Sequence, residues 1–330
     1  MNVREIGEQG LLQRLQAFCP TDVIGDDAAV LTVQPGYSLV VTTDVLVDGV
    51  HFSDRTTAPE DAGWRAAAAN LSDLAAMGAT PLGLTVGLGL PGDVAVEWVE
   101  RLYGGIAACL QRFSTPIVGG DVVRSPVRTI AITAFGQAVP EQIIRRSGAL
   151  PHQAIIATGY HGAARAGLEL LLNPTRNSTL TLTRDQQDFW RRSHQRPMPR
   201  LDVLPLLGKH PEFAIAGMDS SDGLADAVLQ ICRASSVGAT LERSQLPIPP
   251  GLMDWVGEEQ AINWTLYGGE DFELVLCLPC EAAHALVAEL GAGAAVVGMT
   301  TVNPEVYLVD STSEDSHQHL TLDQGFQHYP

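Results

Sequence analysis

The run 213-FAIAGMDSSDGLADAVLQICRA-234 changes character twice. An apolar, strand-like run ends at Asp219, a turn of Ser, Asp and Gly follows, and then Leu224, Val228 and Ile231 recur at helical spacing. A strand that feeds a helix through small residues is the building unit of α/β proteins, which assemble their ligand sites at such strand ends. Ser220 or Ser221 can cap the helix, leaving Asp222 in or beside its first turn. Two readings stay open for Asp222. The partial positive charge of a helix N-terminus favours an anion there, and Asp219 and Asp222 could equally share one cation.

The same juxtaposition recurs along the chain. Asp26 and Asp27 follow 23-VIG-25, Asp44 follows 39-LVVTT-43, Asp121 follows 116-PIVGG-120, and Glu270 and Asp271 follow 266-LYGG-269. Adjacent carboxylates about 4 Å apart repel by about 4 kcal/mol at an effective dielectric near 20, unless a cation sits between them or they point apart. Neighbours on an extended chain face opposite ways, so one ion is not expected to take both Asp26 and Asp27. In 70-NLSDLAAMGA-79, Asn70 and Asp73 stand at i,i+3 on one helix face, as surface positions or as ligands. The EF-hand spacing is absent. Each acid alone is a turn former or a cap; together they favour a multi-metal phosphate site built from hard oxygen donors, suited to Mg²⁺ or Ca²⁺.

Composition narrows the function classes. Thirty-eight acids against 20 bases give a net charge of -18, which argues against nucleic-acid binding and against attraction to anionic lipid. Lys209 is the single lysine and is followed by His210, so no Walker-type GxxxxGK[ST] loop exists. If phosphates are handled, metal ions must do most of the neutralising. The N-terminus carries Glu5 and Glu8 and has no continuous apolar run, so neither a secretory leader nor a membrane span is expected. Cys277 and Cys280 form a lone CxxC at the end of an apolar run; structural thiols in a reducing cytoplasm are the expectation.

Periodicity divides the chain in two. Strands are expected in 38–47, 82–90 and 127–139, with helices over about 60–78 and from Asp93, a candidate N-cap, through Val96, Val99, Tyr103, Ile106 and Leu110. The turn-rich 139–153 marks a boundary, giving an N-terminal domain of 1–140 and a C-terminal domain of 141–330. The polar stretch 173–197 reads as a helical insertion or loop, and 263–279 as the last strong element before a docked tail containing Phe326 and Tyr329.

Seven ordered strings, 25-GDDAAV-30, 42-TTDVLVDGVHF-52, 70-NLSDLAAMGA-79, 118-VGGDVVRS-125, 145-RRSGA-149, 219-DSSDGLADA-227 and 268-GGEDFEL-274, together resemble bacterial thiamine-monophosphate kinase. That family belongs to the ATP-dependent superfamily of aminoimidazole ribonucleotide synthetase and selenophosphate synthetase. The last is disfavoured because Cys19 lacks a Gly-rich setting. The resemblance implies an α/β fold with mixed sheets in two domains, N-terminal strands pairing across a homodimer, and ATP with several Mg²⁺ between the domains. By motif position, Asp27, Thr42, Thr43, Asp44, Asp73, Asp121, Asp219 and Asp222 would serve the metals, with Asp26 left to a supporting contact. Tyr103, Gly120, Asp121, Arg146 and Ser221 would contact ATP; His51, Glu270 and Phe326 would contact thiamine monophosphate. Trp264 and Tyr267 are further stacking candidates. Ser220 departs from the aliphatic residue usual in the family, and Tyr329 from a phenylalanine. The implied reaction moves the γ-phosphate of ATP in line onto thiamine monophosphate. It needs no covalent nucleophile or general base, because the acceptor phosphate is ionised near neutral pH. Two alternatives are a purine-biosynthetic relative that activates an amide or formyl oxygen and a non-enzymatic acidic metal-binding protein.

Overall fold

A computed structural model describes residues 1–21, 23, 28–174, 182–209, 213–311 and 317–325. They form two compact units, residues 1–74 with 79–141, and 75–78 with 142–330. Asp26, Asp27, Phe326 and Tyr329 lie outside the described residues. Among those described, no helix is long and apolar enough to cross a membrane.

In the first unit the elements are α1 (Val3–Leu15), β1 (Ser38–Val47), α2 (Pro59–Ala76), β2 (Thr80–Leu90), α3 (Val96–Gln111), β3 (Ile117–Arg124) and β4 (Thr129–Ala138). The sheet runs β1-β4-β2-β3, antiparallel except for the β2–β3 pair, which the α3 crossover joins in parallel. Strand β1 alternates as its sequence predicts: Leu46 is buried, whereas Leu39, Val41, Thr43 and Val45 look out from the other face. Helices α2 and α3 approach backbone to backbone. A Cβ on Gly63 would sit 2.0 Å from the Leu102 carbonyl oxygen, and one on Gly105 1.9 Å from that of Glu60. Val99, Leu102, Ile106 and Leu110 form the fully buried face of α3. Its cap is Ala95, not Asp93, because the 91–94 turn closes first through the Val94 N–H and Pro91 carbonyl (3.2 Å).

The second unit contains β5 (Ala154–Ala157), α4 (Ala163–Leu172), α5 (Arg184–Gln195), α6 (Leu204–Leu207), β6 (Ala216–Asp219), α7 (Leu224–Ser235), β7 (Gly238–Glu242), α8 (Leu252–Val256), α9 (Glu258–Tyr267), β8 (Leu274–Leu278), α10 (Cys280–Leu290), β9 (Ala295–Thr301), β10 (Val306–Val309) and β11 (His317–His319). Its sheet runs β11-β10-β7-β9-β5-β8-β6, with only β10–β7 parallel among these pairs. Strand β8 is buried throughout because both sheet faces are covered: Val275 and Cys277 join the cluster of Leu224, Val228 and Ile231, while Leu274, Leu276 and Leu278 join that of Ala283 and Leu286. Burial pushes the Cys277 thiol up to about 12, and all five cysteines are free thiols.

Two expected elements change form. The stretch 263–279 is the end of α9, a loop and then β8, so the Leu-Tyr-Gly-Gly before Glu270 closes a helix instead of a strand. Part of 173–197 is α5, started by Thr183, whose hydroxyl accepts from the Gln186 N–H, and anchored by the fully buried Trp190.

Candidate functional site

Asp44 and Asp121 lie within β1 and β3 and not at strand ends. What positions Asp44 is the alternation of β1, which turns Thr42 and Asp44 toward α2. There the Thr42 hydroxyl donates to Asp73 Oδ2, and Asn70 Oδ1 accepts from the Asp44 N–H at 3.2 Å. Asn70 is fully buried and its amide donates back to the Ala66 carbonyl (3.0 Å), so its orientation is set. The i,i+3 spacing of Asn70 and Asp73 thus delivers both side chains to one strand: Asp73 meets the Thr42 hydroxyl, and Asn70 holds the backbone of Asp44, whose side chain shares the Thr42 face of β1.

Thr43 and Asp121 are not brought to that cluster. Thr43 shares its row with Thr133 and Thr85 and is 2.8 Å from Thr133 Oγ1, on the open face of the sheet. Asp121 is in register with Gly87, Ala131 and Val45, the same open face, where its Oδ1 accepts from the Val122 N–H (2.9 Å). Gly120 has a structural reason of its own, since a Cβ there would lie 2.2 Å from the Val86 carbonyl oxygen. Tyr103 requires a correction: it is 4% exposed on α3, packed on Phe18 with ring centroids 5.6 Å apart, and burial raises its phenol above the ordinary range. Within the first unit that hydroxyl is a core group.

His51 ends the 48–51 turn after β1, where Gly49 takes φ +81°. Its Nδ1 accepts from the Val47 N–H (3.1 Å), which places the proton of the neutral ring on Nε2. The buried Arg65 donates to the His51 carbonyl (3.2 Å) and fixes the loop from α2.

In the second unit β6 ends on Asp219, which is 4% exposed. Helix α7 is capped by Gly223 at φ +108°, not by Ser220 or Ser221. Ser220 is fully buried instead, with its Oγ 2.9 Å from His161 Nε2 and its N–H on the Glu273 carbonyl (2.8 Å). That polar pair accounts for a serine at this apolar position. His161 Nδ1 lies 3.0 Å from the Gly159 carbonyl, and burial pulls its ring down to about 4, so it is neutral. Ser221 accepts the Glu270 N–H on its carbonyl (2.7 Å), tying the Asp219–Asp222 turn to the 268–273 loop.

That loop carries three acids with three different partners. Asp271 accepts from the N–H groups of Gly162 (2.6 Å) and Ala164 (2.8 Å), closing the α4 N-terminus; burial nonetheless pushes it up to about 7. Glu273 holds the Thr158 hydroxyl (2.6 Å) and Arg200 Nη1 (2.5 Å), and burial raises it against those partners. Glu270 takes φ +61°, a left-handed conformation uncommon for a residue with a Cβ, and its side chain keeps 35% exposure. Trp264 is 6% exposed and packed edge-on against Trp255 with Arg165 over its ring (4.8 Å), so it is core and not a substrate platform. Tyr267 packs beside the same unit's core and donates its hydroxyl to Gln324.

The family model described as AIR synthase related protein, N-terminal domain, matches residues 25–138. The thiamine-monophosphate kinase of Synechococcus elongatus is 51% identical over 332 residues, covering 99% of this chain and 98% of the relative. The chain belongs to the thiamine-monophosphate kinase family. A solved thiamine-monophosphate kinase from Stenotrophomonas maltophilia superposes with a TM-score of 0.78 at 34% identity, over 90% of this chain and 95% of that one. A second structure, described as AaThiL complexed with AMPPCP and TMP, gives 0.74 at 29% identity, over 97% and 98%. The mixed α/β architecture is therefore that of the thiamine-monophosphate kinases.

Asp226, which motif reading passed over in 219-DSSDGLADA-227, is electrostatically coupled to Asp222. It stands at i+4 from Asp222 on α7, and burial together with the Asp222 charge raises its carboxyl, while Gln230 and the nearby Arg146 guanidinium lower it. The i,i+4 spacing was its signal. Among the described residues no three His, Cys, Asp or Glu side chains converge as a cation cage. Mg²⁺ generally keeps several waters and takes one or two carboxylates from a protein, so such a cage is not a requirement for holding it. The oxygen-only donor set of Thr42, Asp44 and Asp73 fits it.

Proposed function

We propose that this chain transfers the γ-phosphate of ATP to thiamine monophosphate, giving thiamine diphosphate and ADP, with several Mg²⁺ ions as cofactors. The observation that carries the reading is the Thr42–Asp73 contact beside the Asn70-held backbone of Asp44, in a chain of the thiamine-monophosphate kinase family. Bound Mg²⁺ would neutralise and align the two phosphate groups. Asp27, Thr43, Asp121, Asp219 and Asp222 complete the proposed metal set; Gly120, Asp121, Arg146 and Ser221 the ATP set; His51, Glu270 and Phe326 the substrate set.

The protein's own part is positioning and charge. His51 Nε2 carries the ring proton and donates to the acceptor phosphate, an orientation set before substrate arrives by the Val47 N–H at Nδ1. Arg146 supplies a fixed positive charge beside Asp222 and Asp226. Glu270 offers its carboxylate to the cationic ring end of the substrate. No side chain needs to take a proton, because the attacking oxygen belongs to an ionised phosphate. The same reading makes the protein a cytoplasmic homodimer. The half-exposed Leu39, Val41 and Val45 on edge strand β1 are the apolar surface that a second copy would cover.

The test follows thiamine diphosphate formation from ATP and thiamine monophosphate with and without a chelator. Turnover that stops with chelator and returns with Mg²⁺ is expected; turnover indifferent to chelator overturns the metal assignment.

A further inference from the structure

We propose that His194, in the last turn of α5, is the positioning residue for the Glu270 carboxylate and so sets the affinity for thiamine monophosphate; this rests on the assignment of Glu270 to that substrate. The segment 173–197 has no role in the scheme above, yet its helix is built into the second unit at a fixed distance. Trp190 is fully buried, and Gly167 of α4 lies so close that a Cβ there would meet the Trp190 carbonyl at 1.9 Å. One turn further on, the His194 side chain is 4% exposed and its Nδ1 lies 3.6 Å from Glu270 Oε2.

The partner is what separates this imidazole from an ordinary core histidine. Within 270-EDFE-273, Asp271 is spent on the α4 N-terminus and Glu273 on Arg200 and Thr158, and their roles are structural. Glu270 has 35% of its side chain open, on a backbone held left-handed by the 2.7 Å bond to the Ser221 carbonyl. A carboxylate on such a loop has rotamer freedom that must be lost when a cationic ring binds. An imidazole 3.6 Å from Oε2 restricts the carboxylate before the ring binds. The effect belongs to substrate affinity and not to phosphoryl transfer.

Steady-state kinetics of His194→Ala, His194→Asn, Glu270→Gln and the Ala/Gln double variant test this. His194→Ala is expected to raise KM for thiamine monophosphate roughly five- to tenfold, the scale of one charge-assisted contact, leaving kcat and KM for ATP within about twofold. His194→Asn, which keeps a nitrogen near Nδ1, should recover most of that loss, and the double variant should be no worse than Glu270→Gln alone. If Ala loosens the α5–α4 packing too far to assay, His194→Phe keeps the ring volume without its nitrogens and asks the same question. A folded His194 variant with unchanged KM, beside a Glu270→Gln variant whose KM rises, overturns the proposal. So does a parallel change in kcat and both KM values, the mark of a general structural role. Unchanged KM in Glu270→Gln would instead remove the Glu270 assignment beneath it.

Discussion

The acids around β1 and those of the 268–273 loop follow the same sequence rule, a carboxylate after small residues, yet the structure uses them oppositely. Asp44 and Asp73 are partly exposed; Asp73 accepts from the Thr42 hydroxyl, and the Asp44 N–H donates to Asn70 Oδ1. Asp271 and Glu273 are largely shielded from solvent and matched inside the unit, one by a helix N-terminus and one by Arg200. An acid held by neutral donors keeps charge for a cation; an acid matched inside the protein has none left to offer. Motif position does not separate the two classes, but burial and partner do.

The largest test breaks the comparison from the first side. Asp73→Asn should lower turnover by on the order of 10²–10³, the scale for removing a group aimed at developing charge, with less than about 1 kcal/mol lost in a urea melt. A folded variant with near-normal turnover would falsify its role, and Asp222→Asn should behave alike. From the other side, Glu273→Ala leaves Arg200 buried without that partner. It should cost about 3 kcal/mol or more of unfolding free energy while kcat of the folded fraction stays near normal.

A pH series sharpens the contrast within the second unit. His161 is fully buried, and its folded value of about 4 lies below its ordinary 6.5. Its contribution to stability is therefore complete above pH 6.5 and is lost as pH falls toward 4, by about 3 kcal/mol in all. The difference between wild type and His161→Phe, measured by urea unfolding from pH 7 to 4, should show that slope in the wild type alone. The smallest effect sets the baseline. The exposed Lys209–Glu289 pair (2.6 Å) should be worth less than about 1 kcal/mol when Lys209→Gln is melted at low salt.

Much of this was legible along the chain. The two-residue period of 38-SLVVTTDVLV-47 marks an edge-like strand with one open face, and the spacing of Leu224, Val228 and Ile231 marks the buried face of α7. The i,i+3 spacing of Asn70 and Asp73 announced a shared helix face, though not its partner strand. Other positions were misread for local reasons. Asp93 yielded to a turn that closes before the helix. Ser220 and Ser221 yielded to Gly223, which alone takes the required positive φ without strain. Tyr103 stands on the apolar period of α3, which marks it for burial, while its partner Phe18 comes from a distant segment that no local pattern names.

Composition, periodicity and ordered motifs by themselves determined the α/β class and the kinase family, because these depend on residue type and spacing along one chain. Only the tertiary structure decided which acids remain available. The register across β1, β4, β2 and β3 separates Asp44 from Asp121 by sheet face, and packing sets His194 against Glu270 while matching Asp271 to the α4 N-terminus and Glu273 to Arg200. The physical reason is that a carboxylate's reactivity is set by solvent and by partners brought from elsewhere in the chain, and neither is a property of its neighbours in sequence.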